Sequence, residues 1–441
     1  MGHSVLPVKT VDDILHSAKK NGLKLSYSNN INILKEPLKI GKMIIPNRLC
    51  IHPIEGCDST DQGAPGELTM RRYTRFAEGG SGLIWHEAAS VCHEGLGNPR
   101  QWYLHEKNTD KFKLFLNDIN EKGIKSNGFK PINIIQATHS GRFSKPNGKP
   151  EPVIAYHNPY LNERMNLDAD YPVITDDELK RVGEDFIKGA VIAKNAGFDG
   201  VDIKVCHRYL LGELFSAYNR KGAYGGSFEN RIKLFLDIID AVQYLVDKNF
   251  IITTRINLYD GIAYPFGFGV DRENVDVWDK KEPFDIIKLL FNRNIRLVNI
   301  TMGTPYFNPH VNRPYEFGLP KPKNEPITGV ARLLNGAADL QKEFPEMAVI
   351  GTGYSWFGAN SAGFAAGAIE NDESKLIGFG RMSLAYPNFA NDIFEKKVMD
   401  RHKSCITCGK CSELMRNGQV VGCVVRDKYY TELYQKMIKN Q

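Results

Sequence analysis

The stretch VDIKVCHRYLLGEL, residues 201–214, brings five reactive side chains together at the end of an apolar run. They are two cations, a thiol, an imidazole and a phenol: Lys204, Arg208, Cys206, His207 and Tyr209. Cations and a phenol beside an apolar strand cost desolvation free energy unless a partner or a ligand uses them. The stretch therefore indicates a ligand that faces this turn.

Four of the eight cysteines stand alone, at positions 50, 57, 92 and 206, and four lie together near the C-terminus. The second group has the spacing Cys405-x2-Cys408-x2-Cys411-x11-Cys423. Three thiolates in one short loop, with a fourth from farther along, can enclose an iron–sulfur cubane. Zinc also binds four cysteines, usually as two separated C-x2-C pairs. A third cysteine after another two residues favours a [4Fe–4S] cluster over structural zinc.

Eight short apolar runs alternate with eight amphipathic segments of helical period. The predicted strands are 48–52, 82–87, 132–136, 200–204, 251–255, 296–301, 348–352 and 376–380, and the predicted helices lie near 68–79, 109–123, 177–196, 229–247, 283–293, 327–343, 359–369 and 388–398. This alternation predicts an α/β protein, a (β/α)8 TIM barrel. An open doubly wound sheet would carry a GxGxxG fingerprint, but the nearest match, GTGYSWFG, has Trp356 at the third position.

The strand count also divides the chain. We expect an N-terminal extension over residues 1–37, the barrel over 38–399 and a cysteine-cluster segment over 400–441. In such barrels the chemistry gathers at the C-terminal ends of the strands. Glycines after strands 7 and 8 fit a phosphate site built from backbone N–H groups. Taken singly, these glycines could be only turns, but Arg255 closes an apolar strand and needs a buried partner.

The composition excludes several classes of function. The formal charge of +6 over 441 residues is small, and no clustered basic patch marks a nucleic-acid site. No apolar run approaches the length of a membrane span, and the N-terminus lacks the apolar core of a signal peptide. We therefore expect a cytoplasmic protein with no nucleic acid and no membrane among its partners, and eight cysteines in such a chain argue against a disulfide framework.

Several motifs resemble the old yellow enzyme family of flavoproteins, and in particular its iron–sulfur branch, which includes 2,4-dienoyl-CoA reductase and trimethylamine dehydrogenase. The matching stretches are LKEPLKIGKMIIPNRL (34–49), FAEGGSGLIWHEA (76–88), IIQATHSGR (134–142), AGFDGVDIKVCHRYLLGELFSAYNRKGAYGGSFENR (196–231) and IGFGRMSLAYPN (377–388). The resemblance spans roughly residues 34 to 425, and YGGSFENR is its most specific motif.

The resemblance implies FMN bound at the barrel mouth. By matching position, the backbone of Pro53 and Ile54 would hold the isoalloxazine edge, with Ala88 beside it, and Gln136 would bond the pyrimidine portion. Arg255 would lie near N1 and O2, where a cation stabilises charge on the reduced flavin. The residues implied for the phosphate are Gly353, Gly380 and Arg381.

The substrate-facing motif of the family is His-x-x-His/Asn-x-Tyr, and here its positions hold Lys204, His207 and Tyr209. His207 would donate to a substrate carbonyl, and Tyr209 would protonate the α-carbon. Lys204 departs from the pattern: an ammonium could polarise an oxyanion, hold a carboxylate substrate or pair with Glu55. The loop after strand 6 would line the substrate pocket through Tyr306, His310 and Arg313, and His310 is alternatively the acid or an exposed loop residue.

The resemblance implies an FMN-dependent ene-reductase that reduces an α,β-unsaturated carbonyl compound. An amine or N-methyl dehydrogenase that passes electrons out through the cluster stays open, as does a non-catalytic electron-transfer subunit. Larger relatives continue into a second flavin and nicotinamide domain, whereas this chain stops 18 residues after Cys423. We therefore expect a separate ferredoxin or flavoprotein, or NAD(P)H acting directly, as electron donor, and a homo-oligomer is compatible with the sequence.

Overall fold

The computed structural model of the protein describes residues 9–317 and 320–440. Eight parallel strands, β1 to β8, close into a barrel. Their bounds in chain order are Leu49–Ile51, Leu83–Ser90, Ile132–Thr138, Gly200–Ile203, Ile251–Asn257, Leu297–Thr301, Ala348–Gly351 and Leu376–Phe379. The barrel closes at β1, which pairs with β8 on one side, Ile51 opposite Phe379. On the other side β1 pairs with β2, Cys50 opposite Leu83. The predicted (β/α)8 TIM barrel is confirmed.

Eight helices, α1 to α8, follow the strands one by one. They are Glu67–Glu78, Thr109–Asn127, Asp176–Ala196, Phe228–Leu245, Lys281–Asn292, Pro326–Glu343, Ser361–Glu370 and Phe389–Lys396. Each overlaps its predicted segment because the apolar positions recur at the helical period and are buried against the sheet. Thr175 caps α3 in a capping box with Glu178.

Further short elements lie in the loops and at the two ends of the chain. The strands are Leu38–Ile40, Met43–Ile45 and Trp102–Tyr103; the α-helices are Val11–Lys20, Pro159–Met165, Leu210–Leu214, Pro309–Asn312, Arg381–Ala385, Lys410–Arg416 and Lys428–Lys439; the 3-10 helices are Ile31–Lys35, Glu106–Asn108, Gly141–Phe143 and Tyr354–Asn360. Within the described ranges, no helix is both long and apolar enough to cross a membrane.

The hairpin formed by Leu38–Ile40 and Met43–Ile45 covers the N-terminal end of the barrel. Ile45 is fully buried there against residues that begin several strands, among them Leu83, Leu297 and Leu376. Because this apolar plug fills one end, the polar strand ends at the opposite, C-terminal end are the ones left to form a site.

The N-terminal extension packs along the outer helices α6 and α7. Ser17 and Asn21 donate hydrogen bonds to Glu325 just before α6. On α7, the ring of Tyr27 meets Phe364 edge-on at 5.3 Å. Gly367 lets the backbone of the extension approach closely, because a Cβ there would lie 2.5 Å from the Tyr27 nitrogen.

Replacing Gly367 by alanine is expected to lower the free energy of unfolding by about 1–3 kcal/mol, because rigid backbone blocks the added methyl group. Gly183→Ala in α3 is the matched control. Its methyl group would meet the end of the flexible Leu234 side chain at 2.9 Å, and the next atom, on Ile238, lies at an ordinary contact distance of 3.8 Å. Urea unfolding of both variants measures the difference, and equal stabilities would contradict the close packing of the extension.

Candidate active site and cysteine cluster

A cleft of about 830 Å³, open solvent included, lies at the C-terminal ends of the barrel strands. Its wall contains six of the eight residues predicted to bind the flavin: Pro53, Ile54, Arg255, Gly353, Gly380 and Arg381. His207 and Arg313, predicted to face the substrate, line the same cleft. Residues separated by more than 300 positions in the sequence are thus brought to one cavity.

Arg255, in β5, supplies an unmatched positive charge to this cleft. Its side chain is 7% exposed, and its Nε is buried without a hydrogen-bond partner. Within the described ranges no carboxylate lies within 4.0 Å of its guanidinium. The buried partner that the sequence requires is therefore not a protein side chain, and a bound anion or flavin would fit the position.

Ala88 and Gln136 lie deeper, paired in register on β2 and β3 outside the cleft wall. Gln136 donates to Asp202 at 2.6 Å, an interaction that sequence analysis missed. Asp202 also accepts from the Trp85 indole at 2.8 Å and from the Arg255 backbone N–H at 2.7 Å. Burial raises the pKa of Asp202 to about 6, and these donors oppose the rise. Flavin contacts for Ala88 and Gln136 stay predictions.

The end of the cleft beneath β7 and β8 is shaped by glycines. Gly353 has a φ of +105°, and a Cβ on Gly378 would collide with the His52 imidazole. Arg381 begins the helix after Gly380, and its Nη2 donates to the Pro314 carbonyl at 2.9 Å. A guanidinium above a glycine-rich backbone fits a phosphate group. The sequence did not single out His52, Thr352 and Ser355, which also line this end.

The loop that carries Pro53 and Ile54 is fixed by a buried charge cluster. Arg72 of α1 contacts Asp58 at 2.9 Å and Glu87 at 2.7 Å, and its Nη1 donates to the Ile54 carbonyl at 3.0 Å. The Gly56 N–H donates to Glu87 at 2.8 Å. Burial raises the pKa of Glu87 to about 7, against the pull of Arg72. The cluster thus fixes the loop that forms one cleft wall.

The turn after β4 uses two consecutive residues with positive φ, His207 at +61° and Arg208 at +63°. Arg208 has a structural role, because it forms a buried ion pair with Asp260 at 2.8 Å. His207 faces the cleft, and the Asn312 amide donates to its Nε2 at 3.1 Å. Burial and the charges of Arg255, Lys204 and Arg313 hold the pKa of His207 well below its usual range. His207 is therefore a neutral hydrogen-bonding group.

Tyr209 is 5% exposed, and its hydroxyl lies 3.0 Å from the hydroxyl of Tyr306. Burial, reinforced by Glu55 and by Tyr306, raises the pKa of Tyr209 well above its usual value, so the phenol keeps its proton at neutral pH. Tyr306 stacks on Phe143 at 3.8 Å between ring centroids and is 39% exposed. Tyr209 and Tyr306 thus connect the buried turn with the solvent through their hydroxyl groups.

The residues of the loop after β6 that were predicted to line the substrate pocket lie in different surroundings. Arg313 lines the cleft and donates to the Ser412 hydroxyl of the cysteine segment. The Nε2 of His310 lies 2.7 Å from the Pro320 carbonyl oxygen, and its ring packs on Tyr315 outside the cleft wall. In the described structure the His310 ring thus contacts Pro320 and Tyr315, whereas Arg313 lies in the cleft wall.

The four clustered cysteines line one cavity of about 360 Å³. Backbone N–H groups point at three of their sulfurs: Thr407 at Cys405 over 3.4 Å, Lys410 at Cys408, and Val425 with Arg426 at Cys423. Such N–H donors stabilise thiolate ligands and tune a bound cluster. The residues present therefore fit a thiolate-bound cofactor.

The spacing of these sulfurs bears on the two cofactors that the sequence allows. Four thiolates around one zinc ion would lie roughly 3.8 Å apart, given Zn–S bonds of about 2.3 Å. In the described part of the chain, three metal-ligand atoms within 4.8 Å of one another occur at Cys92, Glu94 and His139, but not among the four cysteines. No three of these four sulfurs are therefore as close together as the ligands of a single zinc ion would be.

The cysteine segment is docked on the barrel beside the cleft. Asp427 pairs with Arg71 at 2.9 Å and with Arg75 at 2.8 Å on α1, and the Val421 N–H donates to the Gly56 carbonyl at 2.8 Å. Three residues line both the cleft and the cysteine cavity: Arg381, Leu384 and Cys411. A cofactor in each cavity would thus share a wall.

Comparisons with known proteins agree with this architecture. The sequence profile of the NADH:flavin oxidoreductase / NADH oxidase family matches residues 34–276, and the chain belongs to this family. It is 25% identical to cinnamate reductase of Clostridium sporogenes, covering 90% of this chain and 59% of that protein. It is 28% identical to N,N-dimethylglycine/sarcosine dehydrogenase of Chromohalobacter salexigens, covering 51% of this chain and 32% of that protein.

The fold is shared with a solved 2-naphthoyl-CoA reductase in complex with 2-naphthoyl-CoA. The TM-score is 0.72 at 19% identity, covering 92% of this chain and 58% of that one. The chain thus spans from 32% to 59% of the length of these three proteins. A flavin oxidoreductase barrel is therefore established for this chain, and its substrate is a separate question.

Proposed function

We propose that the protein is an FMN-dependent ene-reductase acting on an α,β-unsaturated carbonyl compound. The observation that carries this proposal is that neutral His207 shares the cleft wall with the predicted flavin residues, beside Tyr209, which holds its proton. FMN, when bound, would supply a hydride equivalent to the substrate β-carbon. His207 would donate to the carbonyl oxygen, and Tyr209 would give its proton to the α-carbon.

The second cofactor that we propose is a [4Fe–4S] cluster on Cys405, Cys408, Cys411 and Cys423, within a segment that spans 400–441. In this division the barrel spans 38–399 and residues 1–37 form the N-terminal extension. Electrons would enter through the cluster from a separate ferredoxin or flavoprotein, or from NAD(P)H over the cleft. The shared wall at Cys411 supports the cluster route, because cofactors on its two sides would be neighbours.

An amine dehydrogenase is the second candidate, since one relative carries the name N,N-dimethylglycine/sarcosine dehydrogenase. Oxidation of an amine would bring a cationic substrate toward Lys204, Arg255 and Arg313. Uncompensated cations repel such a substrate, so the charge of the site favours the reductase. A non-catalytic electron-transfer role would not require the hydrogen-bonding imidazole of His207 or the proton of Tyr209.

The deciding experiment uses anaerobically purified, photoreduced holoenzyme and follows flavin reoxidation on addition of α,β-unsaturated acids, enones and thioesters. Reoxidation with formation of the saturated product is the expected result. If none of them reoxidises the flavin while a secondary or tertiary amine bleaches the oxidised form, the enzyme is a dehydrogenase instead.

Replacing Cys405 by alanine is expected to reduce bound iron from about four atoms per chain to below one, because three thiolates hold a cubane poorly. Cys92→Ala is the matched control and should keep its iron, since Cys92 lies outside the cluster cavity. Iron, zinc and acid-labile sulfide per flavin are the measurements. Stoichiometric zinc in the unaltered protein, or iron that survives in Cys405→Ala, would contradict the cluster.

A further inference from the structure

Lys204 is a buried cation that forms no ion pair within the described ranges. It follows β4 directly and is 4% exposed. Its Nζ lies 3.8 Å above the centre of the Tyr209 ring, and in the described structure it makes no hydrogen bond or ion pair. A buried ammonium without an anionic partner is costly and rare in proteins.

The two nearest carboxylates do not serve as that partner. Glu55 is not within 4.0 Å of Lys204, so the ion pair considered from the sequence is not formed. Burial raises the pKa of Glu55, and Lys204 only opposes this rise. Asp202 is already engaged, because its oxygens accept from Gln136, Trp85 and the Arg255 backbone. The charge of Lys204 is therefore left for a ligand.

The surroundings of Lys204 concentrate positive charge where the substrate would bind. Arg255 and Arg313 line the adjoining cleft without a carboxylate partner in the described ranges. Burial lowers the pKa of Lys204, but Cys206 and Glu55 oppose the loss of its proton. Even when Arg255 serves the flavin, Lys204 and Arg313 still leave the substrate region cationic.

We propose that Lys204 binds the carboxylate group of the substrate, and that the enzyme therefore selects α,β-unsaturated carboxylic acids over neutral enones. This inference rests on the proposed ene-reductase function and names the substrate class of the same site. Lys204 and His207 both lie beside the Tyr209 ring: the Lys204 Nζ is 3.8 Å and the His207 ring centre 6.5 Å from its centre. An ammonium and a neutral imidazole would thus be available to the two oxygens of one carboxylate.

The chemistry explains why an ammonium suits this position. Reduction of the C=C bond of an unsaturated acid adds a hydride to the β-carbon and a proton to the α-carbon, and the carboxylate persists in the saturated product. After hydride addition and before protonation, the two carboxylate oxygens share a second negative charge. A neutral donor stabilises the single charge of an enolate, but the doubly charged species requires a cation beside it.

The test compares binding of cinnamate and of methyl cinnamate to the oxidised holoenzyme, read from the flavin absorbance. Unaltered enzyme is expected to bind the acid at least tenfold more tightly than the ester. Lys204→Met should weaken binding of the acid about 30-fold and change binding of the ester less than threefold. Lys204→Arg, which keeps the charge, should retain most of the affinity for the acid.

Equal losses for acid and ester in Lys204→Met would overturn the proposal, as would an unaltered enzyme that prefers the ester. A changed flavin midpoint potential in Lys204→Met without loss of discrimination would assign the ammonium to the flavin and also overturn it. Glu55→Gln removes a neighbouring carboxylate and should tighten binding of the acid; unchanged or weaker binding in this variant counts against the proposal.

The binding test and a turnover measurement distinguish failure of this inference from failure of the proposed function. An enzyme that reduces the ester and neutral enones, with no discrimination at Lys204, would keep the proposed function and reject this inference. Binding of the acid that depends on Lys204, without reduction of any C=C bond, would reject the proposed function and keep the carboxylate site.

Discussion

Arg72→Met is expected to lower the free energy of unfolding by about 3–5 kcal/mol, the cost of removing one partner from a buried ion cluster. Methionine fills a similar volume but leaves Asp58 and Glu87 facing each other in the interior. Both carboxylates are buried, and Glu87 is fully so. Without Arg72 the pKa of Glu87 would rise further, because the main group that lowers it is gone. Urea unfolding of the holoenzyme near neutral pH measures the loss.

Arg71→Met is the matched control, because Arg71 neighbours Arg72 on the same helix and also forms an ion pair. The side chain of Arg71 is 41% exposed, against 5% for Arg72. Solvent screens its pair with Asp427, so a loss below about 1 kcal/mol is expected. Similar losses for the two variants would show that burial does not govern this cluster.

Tyr209→Phe is expected to slow substrate reduction by about 10²–10⁴-fold, the usual contribution of a positioned general acid. The ring and its packing remain, but the proton for the α-carbon is lost. Rapid mixing of reduced enzyme with substrate measures this step. The rate at which the electron donor reduces the flavin should change little, because the phenol has no part in that half-reaction.

Tyr306→Phe separates the role of the acid from the role of its neighbour. It removes the hydroxyl 3.0 Å from Tyr209 and keeps the stack on Phe143. A smaller decrease, about tenfold, is expected. If Tyr306→Phe proves slower than Tyr209→Phe, the proton would come from Tyr306, and the assignment of the acid would be wrong.

The barrel could be predicted because its elements are encoded locally. The strands β1 to β8 are short apolar runs, and α1 to α8 repeat their apolar positions at the helical period, so each is visible in a window of its own length. Because all eight strands are parallel, the residues at their C-terminal ends lie at the same end of the barrel. This explains why Arg255, Gly353 and Arg381 meet in one cleft although they were identified separately.

Partners across the barrel could not be predicted in this way. The sequence does not show that Gln136 faces Asp202, or that Lys204 and Glu55 stay apart, because both depend on side-chain directions on different strands. The direction of the His310 side chain could not be predicted for a related reason: its loop has no periodic pattern, and the ring contacts the Pro320 carbonyl. The sequence also does not predict the buried charge cluster of Arg72, Asp58 and Glu87, because charged residues usually lie on the surface.

The backbone of one residue, Gly56, connects the barrel interior with the cysteine segment. Its N–H donates to Glu87 inside the barrel, and its carbonyl accepts from Val421, two residues before Cys423. The position of the carbonyl that Val421 binds is therefore set from inside the barrel. A change at Glu87 reaches the cysteine segment through this one residue, so the two regions are coupled through the backbone as well as through the ion pairs of Asp427.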